Sequence, residues 1–352
     1  MKIHVGLIGY GMAGQVFHAP FVEAVEGLEL TRIRESREEN ILLAQERYPK
    51  AVVTAHVQDI LKDDDIDLVI VAVPNSAHYS LAKEALLAGK HVVVEKPFTV
   101  TSAEAGELIE LAKAQHKILT VYHNRRWDSD FKTVQKLVQQ QLLGNLVEYR
   151  AHFDRFRNAI RPNTWKEQAV PGTTILYDLG SHLIDQALTL FGMPQSIWAD
   201  IRSQREGSQI PDKFETILFY DKLKVVLTAG MLVREPGPRY ILHGDKGSFL
   251  KHGLDVQEEA LKQGLFPKDL PATWGVEPEN LWGHLNTEIQ GLHFLGKVES
   301  EVGDYRGFYE NVKQAILGEA DLEVKPEQAR DVIRVIELAM QSSAEKRVVA
   351  VD

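Results

Sequence analysis

Cysteine is absent from the chain, which has 352 residues. This absence excludes disulfide bonds, thiolate zinc sites and a cysteine nucleophile. Long apolar runs are absent too, since the most apolar stretch, residues 68–74, is much shorter than the ~20 residues that a membrane-spanning helix needs. The short apolar run at the N-terminus leads into a glycine turn without a small-residue cleavage site, unlike a signal peptide. The sequence therefore predicts a cytoplasmic protein.

A surplus of positive charge is also lacking, because the formal net charge is -10. A nucleic-acid-binding face needs the opposite balance, so neither nucleic acid nor a membrane is an expected partner. No His-Glu-x-x-His motif, EF-hand loop or cysteine cluster occurs, and no metal is predicted. Hydrophobic residues at 44% and charged residues at 26% are typical of a globular enzyme. The length predicts two domains of roughly 100 to 200 residues each.

The N-terminal part of the chain, residues 1–123, alternates apolar strands with helical patterns. This alternation predicts right-handed strand–helix–strand units and a doubly wound parallel sheet, the α/β Rossmann architecture. The continuously apolar run at residues 67–73 is typical of a parallel strand covered on both faces. The predicted strands are residues 3–8, 28–33, 67–73, 91–94 and 118–122, and the predicted helices are residues 13–24, 37–48, 76–88 and 102–115.

The remaining residues, 124–352, predict a second domain of α+β type with a large, mostly antiparallel open sheet. Several of its strands alternate polar and apolar residues, as half-exposed antiparallel strands do. Residues 252–300, rich in Gly, Pro and Glu, are expected to form long surface excursions. The predicted strands are residues 146–154, 196–205, 214–220, 224–232, 240–243 and 247–251, and the predicted helices are residues 129–140, 177–191 and 327–347.

A glycine turn follows the first predicted strand and opens the first predicted helix. In a dinucleotide-binding fold the first glycine permits the tight turn, the second lets the backbone approach a pyrophosphate, and the third allows the helix to pack closely on the strand. The free N–H groups of the helix N-terminus then face the anion. A turn without a ligand has the same pattern. The expected cofactor-binding residues here are Gly9, Gly11, Met12, Ala13 and Gly14.

The end of the second predicted strand bears on the choice between NAD and NADP. An acidic residue about 20 positions beyond the glycine turn commonly binds the ribose 2′-hydroxyl of NAD, and Glu35 is of this type. Ser36 and Arg37 suit a 2′-phosphate instead, as does Arg34, although the solvated start of a helix also explains an arginine here. NADP is therefore the predicted cofactor, with NAD left open.

Two further polar segments follow buried strands, at the carboxyl edge of the predicted sheet where ligands bind. In the first, Pro74, Asn75 and His78 are predicted cofactor contacts, although a helix cap or a surface position explains them equally well. In the second, Glu95 and Lys96 are predicted cofactor contacts, and Lys96 is also placed to hydrogen-bond a substrate oxygen. The alternative for the second segment is a surface ion pair.

A carboxylate and an imidazole share one face of the predicted helix 177–191. Asp178 and His182 are four residues apart, a spacing that brings side chains together on a helix. A carboxylate beside an imidazole orients the ring, which suits a general base near neutral pH. Asp185 is a rival partner for the histidine. A structural salt bridge is the alternative, and His284 and Glu288 have the same spacing without any motif around them.

These elements, in this order and spacing, resemble the Gfo/Idh/MocA family of sugar and inositol dehydrogenases over essentially the whole chain. Residues 122–128 and 177–186 are similar to a narrower branch that includes NADP-dependent scyllo-inositol dehydrogenases. The motifs that carry the resemblance are Gly9-x-Gly11-x-x-Gly14, Pro74-Asn75-x-x-His78, Glu95-Lys96-Pro97 and Asp178-x-x-x-His182.

The resemblance implies roles for individual residues. Lys96 would contact the substrate hydroxyl and the nicotinamide region, His182 would be the general base, and Asp178 would orient it and bind substrate. A hydride would pass to the nicotinamide, so the protein's part is positioning and proton transfer. The family's open sheet commonly forms the oligomer interface, which implies a homodimer or homotetramer. The implied substrate-binding residues are Asn124, Arg126, Asp154, Trp165, Asp178, His182 and Tyr240.

Two other functions are compatible with the same resemblance. One is a non-catalytic NAD(P)-binding regulator, which would need neither Lys96 nor His182, so the presence of both disfavours it. The other is a glycosidase that uses bound NAD as a transient redox catalyst. The expected reaction is hydride transfer between a nicotinamide cofactor and a cyclic polyol or sugar, and the sequence names neither the substrate nor the direction.

Overall fold

The computed structural model describes residues 2–162, 164–269 and 272–351. The chain forms two compact units, each assembled from three separate segments. The first unit consists of Met1–Asn124, Gln257–Trp274 and Asp304–Arg330, and the second consists of Arg125–Val256, Gly275–Gly303 and Asp331–Asp352. The chain first passes from one unit to the other after Asn124, beside the domain boundary predicted at residue 123. The division of the chain into two domains at that boundary remains a prediction.

The strands follow the chain in this order: β1 Ile3–Ile8, β2 Leu28–Arg34, β3 Val52–Thr54, β4 Leu68–Val71, β5 His91–Val94, β6 Leu119–Val121, β7 Leu146–Asp154, β8 Ser196–Arg202, β9 Lys213–Phe219, β10 Lys224–Gly230, β11 Tyr240–Gly244, β12 Gly247–Lys251, β13 Gly283–Ile289, β14 Leu292–Val298 and β15 Val349–Ala350. The α-helices are α1 Ala19–Ala24, α2 Glu38–Arg47, α3 Gln58–Leu61, α4 His78–Leu87, α5 Ser102–Ala114, α6 Ser129–Gln139, α7 Ser181–Phe191, α8 Gln257–Lys262, α9 Arg306–Leu317 and α10 Pro326–Glu345.

The sheet of the first unit runs in the order β3-β2-β1-β4-β5-β6, with every neighbouring pair parallel. The predicted Rossmann sheet is therefore confirmed. Every side chain of β4 is buried, as its continuous apolar sequence requires. The strand order reverses between β1 and β4, and ligands bind such sheets outside the carboxyl ends of the strands at this switch point.

The sheet of the second unit runs in the order β14-β13-β12-β11-β7-β10-β9-β8-β15. All its neighbouring pairs are antiparallel except β7 with β10, so the predicted mostly antiparallel sheet is confirmed. Alternate side chains of β7 are buried, namely Tyr149, Ala151 and Phe153. This period of two gives the sheet one face in the core and one open face.

The expectation of surface excursions over residues 252–300 is wrong. This segment contains α8 and the hairpin of β13 and β14, which extends the sheet. The hairpin turns at Gln290 and Gly291, whose φ angles of 52° and 80° fit a two-residue turn of type I′. Most side chains of β14 are exposed on both faces, so its sequence lacks the alternation that marks a half-buried strand.

Among residues 2–162, 164–269 and 272–351, no helix is long and apolar enough to cross a bilayer.

The first residue of β5, His91, makes the fold sensitive to pH. The backbone N–H of Ile118 donates to Nδ1 of His91 at 3.0 Å, which requires that nitrogen to be unprotonated. Burial, followed by the nearby charge of Lys117, lowers the pKa of His91 to about 4. Because the folded-state pKa lies below the ordinary value, this part of the stability is present above pH ~6.5 and is lost as the pH falls through about 4.

We expect the free energy of unfolding of the natural chain to decrease between pH ~6.5 and ~4, and the His91→Asn variant to lose this part of the decrease. The asparagine keeps an oxygen that accepts the Ile118 N–H but does not titrate. Urea unfolding at a series of pH values measures the difference, with the exposed histidine variant His56→Asn as the control. Equal pH dependence in natural and His91→Asn chains would contradict the assignment.

Candidate functional site

The glycine turn contains a backbone contact that leaves no room for a side chain. Gly9 follows β1 with a φ of 103°, a conformation that favours glycine. A Cβ atom on Gly9 would lie 2.2 Å from the carbonyl oxygen of Ala72, directly after β4. A Cβ atom on Gly14 would lie 2.3 Å from the carbonyl oxygen of Gly9. The first and third glycines are therefore required by packing alone.

The helix that follows the turn begins at Met12, whose side chain is 58% exposed. Its first turn contains backbone N–H groups without an intrahelical partner, the arrangement that binds anions. A Cβ atom on Gly11 would lie 3.2 Å from Nη2 of Arg37, so a guanidinium stands beside the open part of the turn. Exposed backbone N–H groups next to a cation fit the phosphates of a dinucleotide.

Residues 14–18 continue this helix as a single π-helical turn, in which Ala19 N–H bonds to the carbonyl of Gly14. Such turns are rare and occur frequently at functional sites. The wider turn directs the ring of His18 into the core of the first unit, where it is fully buried. Sequence reasoning did not identify His18. The available signal was a lone polar ring in a helical segment that is otherwise mostly apolar.

The carboxylate of Glu35 organises the segment after β2. It accepts hydrogen bonds from the backbone N–H groups of Ser36 at 2.8 Å and Arg37 at 3.1 Å, and from the Arg37 guanidinium at 3.1 Å. Burial raises its pKa, but these donors and Asn40 outweigh burial and lower the pKa to about 2. Glu35 is therefore ionised at neutral pH and holds Arg37, whose side chain is 57% exposed.

The segment after β4 is fixed by a buried histidine. His78 opens α4 and is fully buried, so the surface position considered for it is excluded. Its Nδ1 lies 2.8 Å from the carbonyl oxygen of Pro97, and its Nε2 lies 2.9 Å from that of Val73. The N-cap positions of the short helical turn Asn75–Ala77 and of α4 are Pro74 and Ala77, and neither makes a side-chain capping hydrogen bond. Contacts of Pro74, Asn75 and His78 with cofactor remain a prediction.

The segment Glu95-Lys96-Pro97 follows β5, and its glutamate is not part of a surface ion pair. Glu95 is 8% exposed, and its Oε1 lies 3.0 Å from Nε2 of His18. Its Oε2 accepts the backbone N–H of Lys96 at 2.8 Å. Burial raises the pKa of Glu95, but the His18 hydrogen bond and charge, with Lys96, outweigh burial, and the net pKa is lowered. The carboxylate is therefore ionised beside Lys96.

In the second unit, Asp178 and His182 lie where a second π-helical turn, Leu176–Gly180, leads into α7. Lys166 Nζ lies 3.3 Å from one carboxylate oxygen of Asp178, and Arg155 Nη1 lies 3.9 Å from the other. His182 is 5% exposed, with its ring centroid 6.3 Å from that of Phe153. The proposed orientation of His182 by Asp178 remains a prediction.

The rival partner considered for His182 has a different role in the structure. Asp185 forms a two-point ion pair with Arg126, at 2.9 Å from Nε and 2.6 Å from Nη2. Both side chains are largely buried, so the pair joins α7 to the short helical turn Asn124–Trp127. The comparison pair, His284 and Glu288, lies on β13 rather than on a helix, and a strand places residues at this spacing far apart.

The other predicted substrate-binding residues differ in accessibility. Tyr240 is fully buried and donates its hydroxyl to Gln186 at 2.9 Å, and burial raises its pKa well above the ordinary value. Asp154 accepts the backbone N–H of Gly237 at 3.1 Å. Trp165 is half-buried, with Lys166 over its ring at 5.7 Å. Tyr240 thus lies in the core, and substrate contact by any of these residues, or by Asn124, remains a prediction.

Comparisons with known proteins agree with this architecture. Residues 3–123 match the Gfo/Idh/MocA group described as "Oxidoreductase family, NAD-binding Rossmann fold", and residues 135–351 match its C-terminal alpha/beta domain. The uncharacterized oxidoreductase YdgJ of Escherichia coli is 42% identical over 97% of this chain and 96% of its own. The scyllo-inositol 2-dehydrogenase (NADP(+)) IolW of Bacillus subtilis is 39% identical over 99% of this chain and 96% of its own.

A solved structure is similar over the full length. The putative oxidoreductase yvaA from Bacillus subtilis has a TM-score of 0.95 and 39% identity, and the match covers 100% of this chain and 99% of the other.

The packing of the glycine turn gives a direct test of the dinucleotide site. Gly9→Ala is expected to lower the free energy of unfolding by ~2 kcal/mol or more, because the new Cβ displaces a backbone carbonyl, and to abolish NADPH binding. The matched control is Gly106→Ala on α5, where a Cβ meets no atom within 4 Å. The control should keep NADPH binding and gain up to ~1 kcal/mol. Urea unfolding and a fluorescence titration with NADPH measure both effects, and natural affinity in Gly9→Ala would contradict the site.

Proposed function

The chain belongs to the Gfo/Idh/MocA family of oxidoreductases, and on that premise we propose that it is an NADP-dependent dehydrogenase of a cyclic polyol or a sugar. The observation that carries the proposal is the position of Arg37 beside Gly11, at the end of the dinucleotide-binding turn. The reaction interconverts a secondary hydroxyl group and a carbonyl group.

The preference for NADP follows from the charge at the end of β2. Glu35 occupies the position where an acidic residue would bind the ribose hydroxyls of NAD, but its oxygens already accept hydrogen bonds from Ser36, Arg37 and Asn40. It therefore acts as a fixed anion that holds Arg37. The exposed guanidinium and the Ser36 hydroxyl are then the groups available to a 2′-phosphate, for which a guanidinium is well suited.

The proposed substrate class has two supports. One is that IolW, at 39% identity, bears the name of an NADP-linked scyllo-inositol dehydrogenase. The other is the mixture of charged and aromatic side chains around Asp178, where Lys166 and Arg155 meet the carboxylate and Trp165 lies under Lys166. Such groups bind hydroxyl-rich rings through hydrogen bonds and apolar ring contact. We assign Asn124, Arg126, Asp154 and Tyr240 to the surroundings of the proposed substrate site.

The chemistry divides between the cofactor and the chain. When bound, the nicotinamide supplies the acceptor or donor of the hydride. In the proposed oxidation, His182 accepts the hydroxyl proton at a ring nitrogen, and Lys96 hydrogen-bonds the same oxygen and stabilises the charge that develops there. Asp178 binds substrate and orients His182. The same groups act in reverse during reduction of the carbonyl.

The assembly and location of the protein are further parts of the proposal. We assign the open face of the nine-stranded sheet to a homodimer or homotetramer interface, and we place the protein in the cytoplasm.

Arg37→Ala is expected to weaken NADPH binding roughly ten- to hundredfold, because hydrogen bonds to a charged group contribute about this much to affinity. The binding of NADH should change little, since it has no 2′-phosphate. Arg32→Ala is the matched control, because Arg32 lies on β2, the strand that precedes Arg37, and pairs with Asp63. Calorimetric titration of both reduced cofactors measures the selectivity. An equal loss of affinity for NADPH and NADH in Arg37→Ala would refute the role in phosphate recognition.

The reaction roles are tested by Lys96→Met and His182→Asn, each expected to lower kcat by ~100-fold or more while NADPH binding persists. Lys83→Met and His243→Asn are the controls, since Lys83 is on the surface of α4 and His243 bonds to Ser248 on β12. Turnover is measured with NADP and a panel of inositols and sugars. Natural turnover in either test variant would remove that residue from the mechanism.

A further inference from the structure

His18 connects two elements of the first unit that are far apart in sequence. Its backbone ends the π-helical turn that begins at Gly14, the last glycine of the dinucleotide turn. Its ring reaches across the core, where Nε2 lies 3.0 Å from Oε1 of Glu95 and Nδ1 contacts the hydroxyl of Tyr309. The residue that ends this helical turn therefore contacts Glu95, the residue before Lys96, through its side chain.

The second oxygen of Glu95 completes the connection. Oε2 accepts the backbone N–H of Lys96 at 2.8 Å, so each oxygen of one carboxylate binds a different element. A buried carboxylate without donors is strongly unfavourable, and Glu95 is stable as an anion because both oxygens have N–H partners. The carboxylate thus fixes the main chain of Lys96 relative to the ring of His18.

The far side of the ring is fixed as well. Tyr309, on α9, is fully buried, and burial raises its pKa well above the ordinary value, so the hydroxyl keeps its proton. Because the ionised carboxylate of Glu95 can only accept, Nε2 is a protonated nitrogen that donates to it, whether the hydroxyl donates to Nδ1 or accepts from it. The ring of Tyr122 packs against His18 with centroids 4.5 Å apart. Contacts at both ring nitrogens and at the ring face therefore hold the imidazole in one orientation.

We propose that His18 is a positioning residue that ties Lys96 to the helix of the dinucleotide turn, acting through the carboxylate of Glu95. The proposal rests on the role assigned to Lys96 under Proposed function. Its consequence is that the backbone of the reacting lysine and the backbone that receives the cofactor move as one body. A lysine at the end of a strand otherwise depends on local loop contacts for its position.

The first test measures the Lys96 backbone without cofactor or substrate. In His18→Leu the donor to Glu95 is lost, and hydrogen exchange of the Lys96 amide should accelerate roughly fivefold or more, the worth of one hydrogen bond. The amide of Glu95, which bonds to Val71 O at 2.9 Å in the sheet ladder, should keep its protection. His18→Gln, whose side-chain amide replaces Nε2 as a donor, should exchange like the natural chain. Amide-resolved NMR distinguishes these two neighbours.

The second test measures turnover in the same variants. His18→Leu should lower kcat by about tenfold or more with little change in the KM for NADP, and His18→Gln should restore it, because small displacements of reacting groups are costly. Tyr149→Phe, which removes a hydroxyl from a fully buried tyrosine of the second unit, is the control and should match the natural chain. If His18→Leu does not fold, Tyr309→Phe replaces it, with roughly twofold or greater acceleration expected at the Lys96 amide.

The outcomes separate this proposal from the proposed function. Unchanged exchange at the Lys96 amide in His18→Leu, or in Tyr309→Phe where that variant replaces it, overturns the positioning role. Equal loss of turnover in His18→Leu and His18→Gln would also overturn it, because the volume of the ring would then be the cause. Uniform acceleration of amide exchange across the core would overturn it as well. A natural chain that oxidises no polyol or sugar would defeat the proposed function, while the exchange measurement would still decide the role of His18.

Discussion

The contact between Gly9 and the carbonyl oxygen of Ala72 is the constraint on which the first unit depends. Its backbone atoms approach so closely that an added Cβ would lie 2.2 Å from the oxygen, and the positive φ of Gly9 makes the approach feasible. The contact brings the end of β1 against the end of β4 at the point where the strand order reverses. The segments after β2, β4 and β5 then share one edge of the sheet, which is why Arg37, His78 and Lys96 belong to one candidate site.

Buried polar neighbours hold the segments that contain the residues assigned to chemistry. In the first unit, His18 and His78 fix the two ends of the segment Glu95-Lys96-Pro97 through a carboxylate and a backbone carbonyl. In the second unit, the ion pair of Arg126 with Asp185 anchors the helix that contains His182. Buried polar groups of this kind are stable only when their partners are in place, so they fix the backbone segments to which Lys96 and His182 belong.

The two kinds of sheet and the glycine turn followed from the sequence because apolar runs and glycines have direct backbone consequences. Other features did not, for identifiable reasons. The hairpin at Gln290 and Gly291 was missed because β14 is exposed on both faces and shows no alternation. A helical spacing of four could not reveal the π-helical turns, which change the direction of His18. The motif that suggested Tyr240 as a substrate-binding residue does not indicate how deeply its side chain is buried. In the structure this side chain is fully buried.

The proposed reaction transfers a hydride between a cyclic polyol or a sugar and NADP. The most direct measurement uses a cyclic polyol deuterated at its ring carbons, incubated with the natural chain and oxidised NADP, with mass spectrometry of the reduced cofactor. We expect NADPH that contains one deuterium from the substrate, formed faster than NADH under matched conditions. Reduced cofactor without deuterium, or reduction of NAD in preference to NADP, would contradict it.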